Sequence, residues 1–352
     1  MKGTPFVSIV ISTHNRKGLL RRALNSIFNL DYPSKKYEII VVHSSTDGTE
    51  EMLKIFEGRR KNFRWFRKKD FSLGQAHGRN IGIKNAKGKI VFFTDDDCIV
   101  EKDWIKSFIK FYNDKNIAGV GGYAKNMPYQ DNNDFIKYYS LLMNRIYRGR
   151  LEDKKTFIGG FESPTGGTSN MSYRKDVIER VGGFDETYVG AGEEAQIKLQ
   201  VCNLGYKTAF VPKVVWHGSR ETLKGFALQS YSRGIGSAIF WLKCGVSIMI
   251  KHGFKEAKKY SAVSRDFLYS MLLLVSIGYL PIDMNISFAI ISFLLSAIVF
   301  ISAFSSLSIA GDFRVKYFLI DILRQSMHFI GYFHGVLLFF IKKKWKTSNY
   351  IT

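Results

Sequence analysis

Three consecutive carboxylates are the residues of this chain with the clearest chemical meaning. Asp95, Asp96 and Asp97 directly follow residues 89–93, a mostly apolar run with the composition of a buried strand. The carboxyl end of a buried parallel strand opens on the crevice in which α/β proteins bind ligands. Three acids packed there repel one another unless a cation is bound, and Mg²⁺, which prefers oxygen ligands, usually also holds the phosphates of a substrate. The triplet therefore predicts a metal-dependent enzyme with a phosphate-bearing substrate, and the alternative is a plain acidic loop.

Further polar residues follow the ends of other predicted strands. Residues 6–11 and 37–42 are apolar, β-rich runs, and they are followed by the polar residues 13–16 and by Asp47. The neighbouring predicted elements are helices over 19–30 and 75–86, a helix that begins in the turn 44–49, and strands over 63–66 and 90–93. Strands that alternate with helices predict a doubly wound, parallel sheet, and these polar residues would collect at one edge of it.

A third group of candidates lies later in the chain. Glu193 and Glu194 open a predicted helix, where the helix dipole alone would favour carboxylates. His217 follows a predicted strand over 210–216, and a lone histidine at such a place is either structural or a ligand. Residues 119–170 are rich in Gly, Asn, Tyr and Lys, and we predict that they are irregular.

Taken in order, these motifs resemble those of the family-2 glycosyltransferases, which have a GT-A fold, over about residues 5–225. The motifs that carry the resemblance are residues 7–16, 45–49, 78–82, 95–97, 182–186 and 192–194. The resemblance implies a GT-A nucleotide-diphospho-sugar transferase fold with a doubly wound, mostly parallel sheet. It also implies an inverting, metal-dependent transfer of a sugar from a nucleotide sugar.

The resemblance implies a role for each candidate residue. Asp95 and Asp97 would hold Mg²⁺ or Mn²⁺ on the nucleotide diphosphate, His217 would be a further metal ligand, and Asp96 would lie near the ribose or the donor sugar. The donor-binding residues that it implies are Thr13, Asn15, Arg16, Asp47 and Arg79, together with Gly167 in the loop that closes on the donor sugar. A bound metal would stabilise the leaving diphosphate as a Lewis acid.

The proton-accepting and base-reading positions depart from the family pattern. Glu194 stands at the position of the catalytic base, which is usually Asp and takes the proton of the acceptor hydroxyl. Glu is one methylene longer, and a misplacement of 1 Å can cost roughly 10²-fold in rate. Backbone compensation is the interpretation that we favour; Glu193 as the base, or an impaired enzyme, are the alternatives. His43 or Ser44 stands where relatives have the Asp that contacts the nucleobase of the donor. The resemblance therefore does not imply which nucleobase this protein selects.

The charge and cysteine content narrow the choice of partners and compartment. The formal net charge is +22, which indicates an anionic partner, and the basic clusters at 251–265 and 342–344 flank apolar segments. This placement favours an anionic membrane leaflet over nucleic acid, for which the chain has no recognised binding motif. The three cysteines form neither a disulfide framework nor a zinc signature, which indicates a reducing compartment, and we expect no signal peptide.

The last third of the chain is predicted to associate with a membrane. Residues 267–282 and 284–311 are uncharged runs of 16 and 28 residues, and a bilayer span needs about 20. The third apolar segment, 317–341, carries Asp321 and Arg324 at i, i+3, and the positive-inside tendency favours an interfacial or re-entrant helix over a span. The predicted organisation is a GT-A domain over 1–225, amphipathic interfacial linker helices over 226–265, and a membrane region over 266–352 with spans at about 267–282 and 286–310.

These predictions combine into one functional hypothesis with two alternatives. The chain would be an inverting glycosyltransferase at the cytoplasmic or inner membrane, with its catalytic domain in the cytoplasm and with contacts to membrane lipids. It would transfer a sugar from a nucleotide sugar to a lipid-linked or membrane-proximal glycan acceptor. The first alternative is transfer directly to a polyprenyl phosphate. The second is a non-catalytic membrane scaffold with a degenerate transferase fold, which the departures at Glu194 and His43 motivate.

Overall fold

The chain divides into two compact units, which are described separately. The computed structural model describes residues 4–69, 74–127, 133–146, 155–161, 163–164, 166–188, 191–218, 222–259, 287, 290–294, 296–299, 301–302 and 315–341. The first unit comprises Met1–Pro128, Tyr147–Glu186 and Glu193–Ser219. The second comprises Tyr129–Ile146, Thr187–Gly192 and Arg220–Thr352.

The first unit is an α/β domain built on one sheet. Its strands are β1 (Val7–Thr13), β2 (Tyr37–His43), β3 (Phe63–Arg67), β4 (Ile90–Phe93), β5 (Cys98–Val100), β6 (Ile117–Asn126), β7 (Phe157–Gly159), β8 (Met171–Arg174) and β9 (Lys207–His217). Its helices are α1 (Lys17–Phe28), α2 (Thr49–Arg59), α3 (Gln75–Asn85), α4 (Trp104–Ile109), α6 (Lys175–Arg180) and α7 (Glu193–Asn203), with 3₁₀ turns at Ser34–Lys36, Lys110–Asn113 and Thr168–Asn170. The predicted α/β class is confirmed.

The sheet is parallel in one half and mixed in the other. Its strand order is β3-β2-β1-β4-β8-β6-β9-β5, and β7 also pairs with β9. The four strands predicted from the first hundred residues, β1 to β4, are all parallel. Beyond β4, strand β8 is antiparallel to β4 and β6, and β5 and β7 are antiparallel to β9. The expectation of a mostly parallel sheet therefore holds only for the first half.

The prediction that residues 119–170 are irregular is wrong. They include most of β6, all of β7, and a 3₁₀ turn at Thr168–Asn170. Glycines in β6 weaken its strand pattern, and packing requires them. A Cβ at Gly122 would lie 2.4 Å from the carbonyl oxygen of Lys213 on β9, so only glycine lets the two backbones approach.

Both faces of the parallel strands are buried, which explains their nearly continuous apolar sequences. On β1, Ile9 and Ile11 belong to one hydrophobic cluster, whereas Val10 between them belongs to a second cluster. Neighbouring β4 alternates in the same way, with Phe92 in the first cluster and Phe93 in the second. Because successive side chains of a strand point to opposite faces, the sheet separates two cores.

Two glycines set the position of α3 above the sheet. A Cβ at Gly78 would lie 2.2 Å from Oγ of Ser12, and a Cβ at Gly82 would lie 2.2 Å from Cγ1 of Val10. The spacing of four residues places both glycines on one side of the helix. The helix can therefore lie directly on β1, which brings Arg79 to the carboxyl ends of the strands.

The second unit contains α5 (Asp134–Ile146), α8 (Leu223–Lys259) and α9 (Val315–Ile341). Helices α8 and α9 approach closely at glycines, since a Cβ at Gly331 would lie 2.0 Å from the carbonyl oxygen of Tyr231. Asp321 and Arg324, which the sequence places at i, i+3 in the third apolar segment, form an ion pair. Nε of Arg324 donates to Oδ1 of the fully buried Asp321 at 2.7 Å. The hydroxyl of Tyr138 on α5 also donates to that carboxylate.

The predicted membrane segments are only partly described. The span at 267–282 lies outside the described residues, and so does most of the span at 286–310. The third segment, 317–341, lies within α9, and the predicted linker 226–265 is one continuous helix, α8, as far as Lys259. Within the described ranges, no helix combines the length and the hydrophobicity that are needed to cross a bilayer.

Candidate active site

The candidate residues converge at the carboxyl edge of the parallel strands, within the first unit. Thr13 ends β1, the acid triplet follows β4, and His217 ends β9. Arg79 comes from α3, and Glu193 is the first residue of α7. Because β1 and β4 are parallel neighbours and β5 pairs with β9, segments that are distant in sequence meet at this edge.

A cluster of possible metal ligands forms around the acid triplet. The ligand atoms of Asp95, Asp97, Cys98 and His217 all lie within 4.8 Å of one another. Cys98 and His217 are paired across β5 and β9, and Nε2 of His217 lies 3.3 Å from Oδ1 of Asp97. Two carboxylates and an imidazole are donors that suit Mg²⁺ or Mn²⁺, so the residues present fit the implied cation.

Cys98 is a member of this cluster that the sequence reasoning missed. Its place directly after the triplet is a signal that could have identified it. Burial, and next the charges of Asp95 and Asp97, raise the pKa of the Cys98 thiol well above its ordinary value. In the absence of a bound cation the thiol is therefore protonated at neutral pH. Mg²⁺ and Mn²⁺ favour oxygen ligands over sulfur, so Asp95, Asp97 and His217 are the better ligands for these ions.

Asp96 is oriented by the loop that follows β1. Oγ1 of Thr13 donates to Oδ2 of Asp96 at 2.6 Å, and Nη1 of Arg16 donates to Oδ1 of Asp96 at 3.0 Å and to Oδ2 of Asp97 at 2.9 Å. Burial raises the pKa of Asp96, and the nearby Arg16 guanidinium opposes that rise. The predicted donor-binding residues Thr13 and Arg16 thus contact the acids directly, and their contact with a nucleotide stays a prediction.

Arg79 links the acid triplet to the start of α7. This guanidinium is almost fully buried, and Nη2 donates to Oδ1 of Asp95 at 2.9 Å while Nη1 donates to Oε1 of Glu193 at 3.1 Å. Nη2 also donates to Oε1 of Gln75 and to Oγ1 of Thr168, both at 2.9 Å. Burial by itself lowers the pKa of Arg79 and is the largest single effect, but the nearby carboxylates of Asp95, Glu193 and Glu194 outweigh it, so that pKa is raised.

Two of these Arg79 partners were not predicted. Gln75 lies four residues before Arg79 on α3, so helical spacing is a signal that could have found it. Thr168 begins the 3₁₀ turn that follows Gly167, and no local signal connects that turn to Arg79. Gly166 packs on β6, where its Cβ position lies 2.9 Å from Cα of Gly121. The predicted donor loop is thereby fixed at the site through Thr168.

The two glutamates at the start of α7 have different surroundings. Glu193 is buried, its Oε1 accepts from Arg79, and its Oε2 is buried without a hydrogen-bond partner among the described residues. Glu194 is half-buried. Gly192, which precedes them, has a φ of 103°, a backbone conformation that residues other than glycine rarely adopt. The glycine of this motif is therefore needed to start α7 at this point.

Asn15 and Asp47 connect the loops that follow β1 and β2. Asn15 has a left-handed φ of 50°, and its Oδ1 accepts from the backbone nitrogen of Thr46 at 2.7 Å. Oδ2 of Asp47 accepts from the backbone nitrogen of Lys17 at 2.9 Å, and its Oδ1 accepts from the backbone nitrogen of Thr49 at 3.2 Å. Both residues lie at the predicted edge and stabilise its loops, and their contact with a nucleotide stays a prediction.

His43 and Ser44, which stand where relatives have the Asp that contacts the nucleobase, have different surroundings. His43 is the last residue of β2 and is fully buried, with its ring centroid 5.3 Å from that of Trp65. Ser44 follows, and its carbonyl oxygen lies 2.7 Å from Nδ1 of His14, which is exposed. His43 is thus part of the core, whereas His14 is the imidazole that the loop presents to solvent.

Comparison with known proteins agrees with this geometry. The family model described as Glycosyl transferase family 2 matches residues 8–182. Glycosyltransferase AglE of Haloferax volcanii is 24% identical over 245 residues, which cover 69% of this chain and 77% of the relative. A dolichyl N-acetyl-α-D-glucosaminyl phosphate 3-β-D-2,3-diacetamido-2,3-dideoxy-β-D-glucuronosyltransferase of Methanococcus voltae is 26% identical over 286 residues, which cover 78% of this chain and 83% of the relative.

A solved structure shares the fold. The mannosyltransferase PcManGT from Pyrobaculum calidifontis, in complex with GDP-Man and Mn²⁺, superposes with a TM-score of 0.58 at 18% identity and covers 97% of this chain and 89% of that one. The fold of the first unit is therefore that of the GT-A-like nucleotide-sugar transferases, as predicted. The match over residues 8–182 identifies a glycosyl transferase family 2 domain in this chain, and together with the similarity to known glycosyltransferases it identifies the protein as a glycosyltransferase.

Proposed function

We propose that the protein is an inverting, metal-dependent glycosyltransferase that moves a sugar from a nucleotide sugar to a lipid-linked or membrane-proximal glycan acceptor. The observation that carries this proposal is the clustering of Asp95, Asp97 and His217 beside the Arg79–Glu193 pair. The complex of PcManGT with GDP-Man and Mn²⁺ supports the donor class and the metal. The Methanococcus voltae relative is named for transfer to a dolichyl-linked sugar phosphate, which supports a lipid-linked acceptor.

The donor diphosphate would bind at the acid triplet. Asp95, Asp97 and His217 would hold Mg²⁺ or Mn²⁺, which when bound stabilises the negative charge of the leaving diphosphate. Arg79 would add a charge-assisted contact to the same phosphates, since its guanidinium already lies 2.9 Å from Asp95. The loops that contain Thr13 and Asp47 would contact the nucleotide.

Glu194 is the better candidate for the catalytic base. The base must take the proton of the acceptor hydroxyl as that oxygen attacks the anomeric carbon from the side opposite the leaving group. Oε1 of the buried Glu193 already accepts from Nη1 of Arg79 at 3.1 Å, so this carboxylate positions the guanidinium. The side chain of Glu194 is more exposed, and it is the one to which we assign the proton.

A screen of nucleotide sugars would test the proposal. The full chain is incubated with each nucleotide sugar and Mn²⁺ and with a lipid-linked saccharide, and release of nucleoside diphosphate is measured. Release that requires both metal and acceptor, with an inverted anomeric centre in the NMR spectrum of the product, is expected. Equal release in the presence of EDTA, or retention of configuration, would contradict the proposal.

The same assay separates the alternatives. Polyprenyl phosphate offered without a saccharide would be the better acceptor if the chain transfers sugar directly to the lipid carrier. A non-catalytic scaffold would release no nucleoside diphosphate from any nucleotide sugar. We also propose that the enzyme acts at the cytoplasmic face of a membrane, because basic clusters flank the apolar segments of its last third.

A further inference from the structure

Exposed apolar side chains are concentrated in the second unit. Of the fourteen large apolar residues that are exposed among the described residues, ten belong to this unit. Scattered exposed apolar residues are normal in soluble proteins, but a contiguous group of them marks an interaction surface. The question is whether these residues share one face.

Four of the ten lie on one side of α9. They are Val315, Leu319, Ile330 and Phe340. At about 100° per residue, they fall within an arc of roughly 80° around the helix axis and extend for about 38 Å along it. Ile322, Phe333 and Leu337 lie in the same arc and are half-buried, and so is Ser326, the one polar residue of α9 in this arc. We call the seven apolar residues the outer face of α9.

The opposite side of α9 carries polar residues toward the interior. Asp321 is fully buried and Gln325 nearly so, and both lie outside the outer face. The carboxylate of Asp321 accepts from Tyr138 and from Arg324. Apolar residues of α9, among them Tyr332 and Val336, are buried on the inner side as well. A helix on the surface of a water-soluble protein normally has polar residues on its outer side, whereas the outer face of α9 is apolar. The outer face of α9 is therefore suited to an apolar or amphiphilic neighbour rather than to water.

The charge of this part of the chain indicates which neighbour. Residues 220–352 contain sixteen Lys and Arg residues but only six Asp and Glu residues. Lys316, near the start of the outer face, is exposed and pairs with Asp134 at 2.7 Å, and residues 342–344 are all lysine directly after the end of α9. Each basic residue near an anionic membrane surface contributes about 1 kcal/mol of attraction. A second copy of this chain would bring the same positive charge and would be repelled.

We propose that the outer face of α9 lies on the surface of an anionic lipid bilayer, with its apolar side chains between the headgroups and its flanking lysines at the phosphates. This arrangement is that of an amphipathic helix parallel to the membrane. The proposal concerns a surface in the second unit and does not depend on the transfer reaction. Vesicle binding can therefore be tested without any substrate.

A vesicle flotation assay with a matched control tests the outer face. Ile330 and Ile55 are each 52% exposed, but Ile55 lies on α2 in the first unit. The full chain is mixed with vesicles of phosphatidylcholine, with or without phosphatidylglycerol. The double variant Leu319→Glu, Ile330→Glu should partition into anionic vesicles at least about tenfold more weakly than the wild type, whereas Ile55→Glu should bind as the wild type does. Equal loss in both variants, or in neither, would overturn the proposal.

A local measurement keeps the test valid if other segments also bind lipid. Cysteine is introduced at position 330 or 55 in a Cys202→Ser background, since the other two cysteines are buried. An environment-sensitive dye at position 330 should shift to the blue on anionic vesicles, and a dye at position 55 should not. The shift should weaken in 1 M salt, where the Debye length falls to about 3 Å. A dye at position 330 that stays in water, or self-association of the chain without vesicles through this face, would contradict a bilayer as its partner.

Discussion

Acidic side chains pair with arginines at both edges of the parallel strands, but the number of carboxylates per guanidinium differs between the two edges. At the amino-terminal edge, Glu38 of β2 is nearly fully buried and both of its oxygens accept hydrogen bonds. Oε1 accepts from Oγ of Ser8 and from the backbone nitrogen of Lys87, both at 2.6 Å. Oε2 accepts from Nη2 and Nε of Arg64 at 2.6 and 3.1 Å. One carboxylate thus meets one guanidinium, and the group is complete.

At the carboxyl edge, the acids outnumber the arginines. Arg16 contacts two members of the acid triplet, and Arg79 contacts the third and Glu193. Glu194, the next residue in the chain, adds a fifth carboxylate whose charge also acts on Arg79. One oxygen of Glu193 is buried without a hydrogen-bond partner among the described residues.

The difference between the edges separates a structural network from a functional one. Buried charges are tolerated when they are paired and fully hydrogen-bonded, as Glu38 is. At the carboxyl edge, Asp96 and Glu193 are buried and the other three carboxylates are half-buried. Such an excess of carboxylates destabilises the folded protein unless a cation and a substrate complete the site. We therefore expect the amino-terminal edge to control stability and the carboxyl edge to control activity.

The largest expected effect is on catalysis at the carboxyl edge. Glu194→Gln removes the proposed base but keeps the size of the side chain, so the rate of transfer should fall roughly 10²- to 10⁴-fold. Donor binding, measured by calorimetry with the nucleotide sugar, should be unchanged, because the acid triplet is intact. The matched variant Glu193→Gln should instead weaken donor binding, since it releases Arg79. Full turnover in Glu194→Gln would refute the assignment of the base.

The next effect is on stability at the amino-terminal edge. Glu38→Ala leaves Arg64, Ser8 and the backbone nitrogen of Lys87 without their acceptor, so the free energy of unfolding should fall by about 3 kcal/mol. Urea unfolding measures that change. Transfer rates at a temperature where the variant is folded should equal those of the wild type. A loss of rate in fully folded Glu38→Ala would mean that this network also controls the site.

The metal should stabilise the carboxyl edge alone. A ligand present at a hundredfold excess over its Kd stabilises the folded state by about 2.7 kcal/mol. We therefore expect Mn²⁺ to raise the Tm of the wild type and of Glu38→Gln, and to have no such effect on Asp97→Asn. A rise in Asp97→Asn equal to that of the wild type would place the ion elsewhere in the chain.

The parallel half of the sheet was predictable because each of its strands can be recognised from its own sequence. Strands β1, β2 and β4 are buried on both faces, so local hydrophobicity alone identifies them. The acid triplet was found for the same reason, since it directly follows β4. Strand β6 was missed because its glycines, which the close approach of Lys213 requires, remove the apolar pattern.

Contacts between distant segments could not be read from the sequence. Arg79 was expected at the phosphates, but its partners Glu193 and Thr168 come from segments about ninety residues or more away in the chain. His43 was considered as a replacement for a base-reading Asp, but the structure buries its ring against Trp65. In each case the packing of the sheet determines which side chains are in contact, and no local sequence pattern predicts that contact.

Glycines at the two edges offer a smaller test of the comparison. In Gly82→Ala, the new methyl would lie 2.2 Å from Cγ1 of Val10, so α3 must move away from β1 at a cost of about 1–3 kcal/mol. Because Arg79 lies on α3, transfer should slow as well. The second substitution Val10→Ala should restore much of both losses, since it removes the obstructing side chain.

The corresponding glycine at the amino-terminal edge gives the contrast. A Cβ at Gly88 would lie 2.4 Å from the backbone nitrogen of Ser8, and no side-chain truncation relieves a clash with backbone. Gly88→Ala should therefore reduce stability without rescue by Ser8→Ala, and it should leave the transfer rate of the folded protein unchanged. Urea unfolding and the diphosphate-release assay of the four variants together decide whether the two edges respond separately.

The smallest expected effect is on the pH dependence of stability. It arises from His43, which ends β2 at the carboxyl edge but belongs to the core. Burial, the largest cause, lowers the pKa of His43 below its ordinary value of 6.5. As the pH falls through about 6.5, the unfolded chain therefore binds a proton at His43 before the folded protein does, so stability decreases toward lower pH. The Tm of the wild type should fall more steeply between about pH 7 and pH 5 than that of His43→Gln, in which this group cannot titrate. The variant has a lower Tm throughout because it loses the packing on Trp65, so the comparison rests on the slope with pH; equal slopes would mean that His43 ionises alike in the folded and unfolded states.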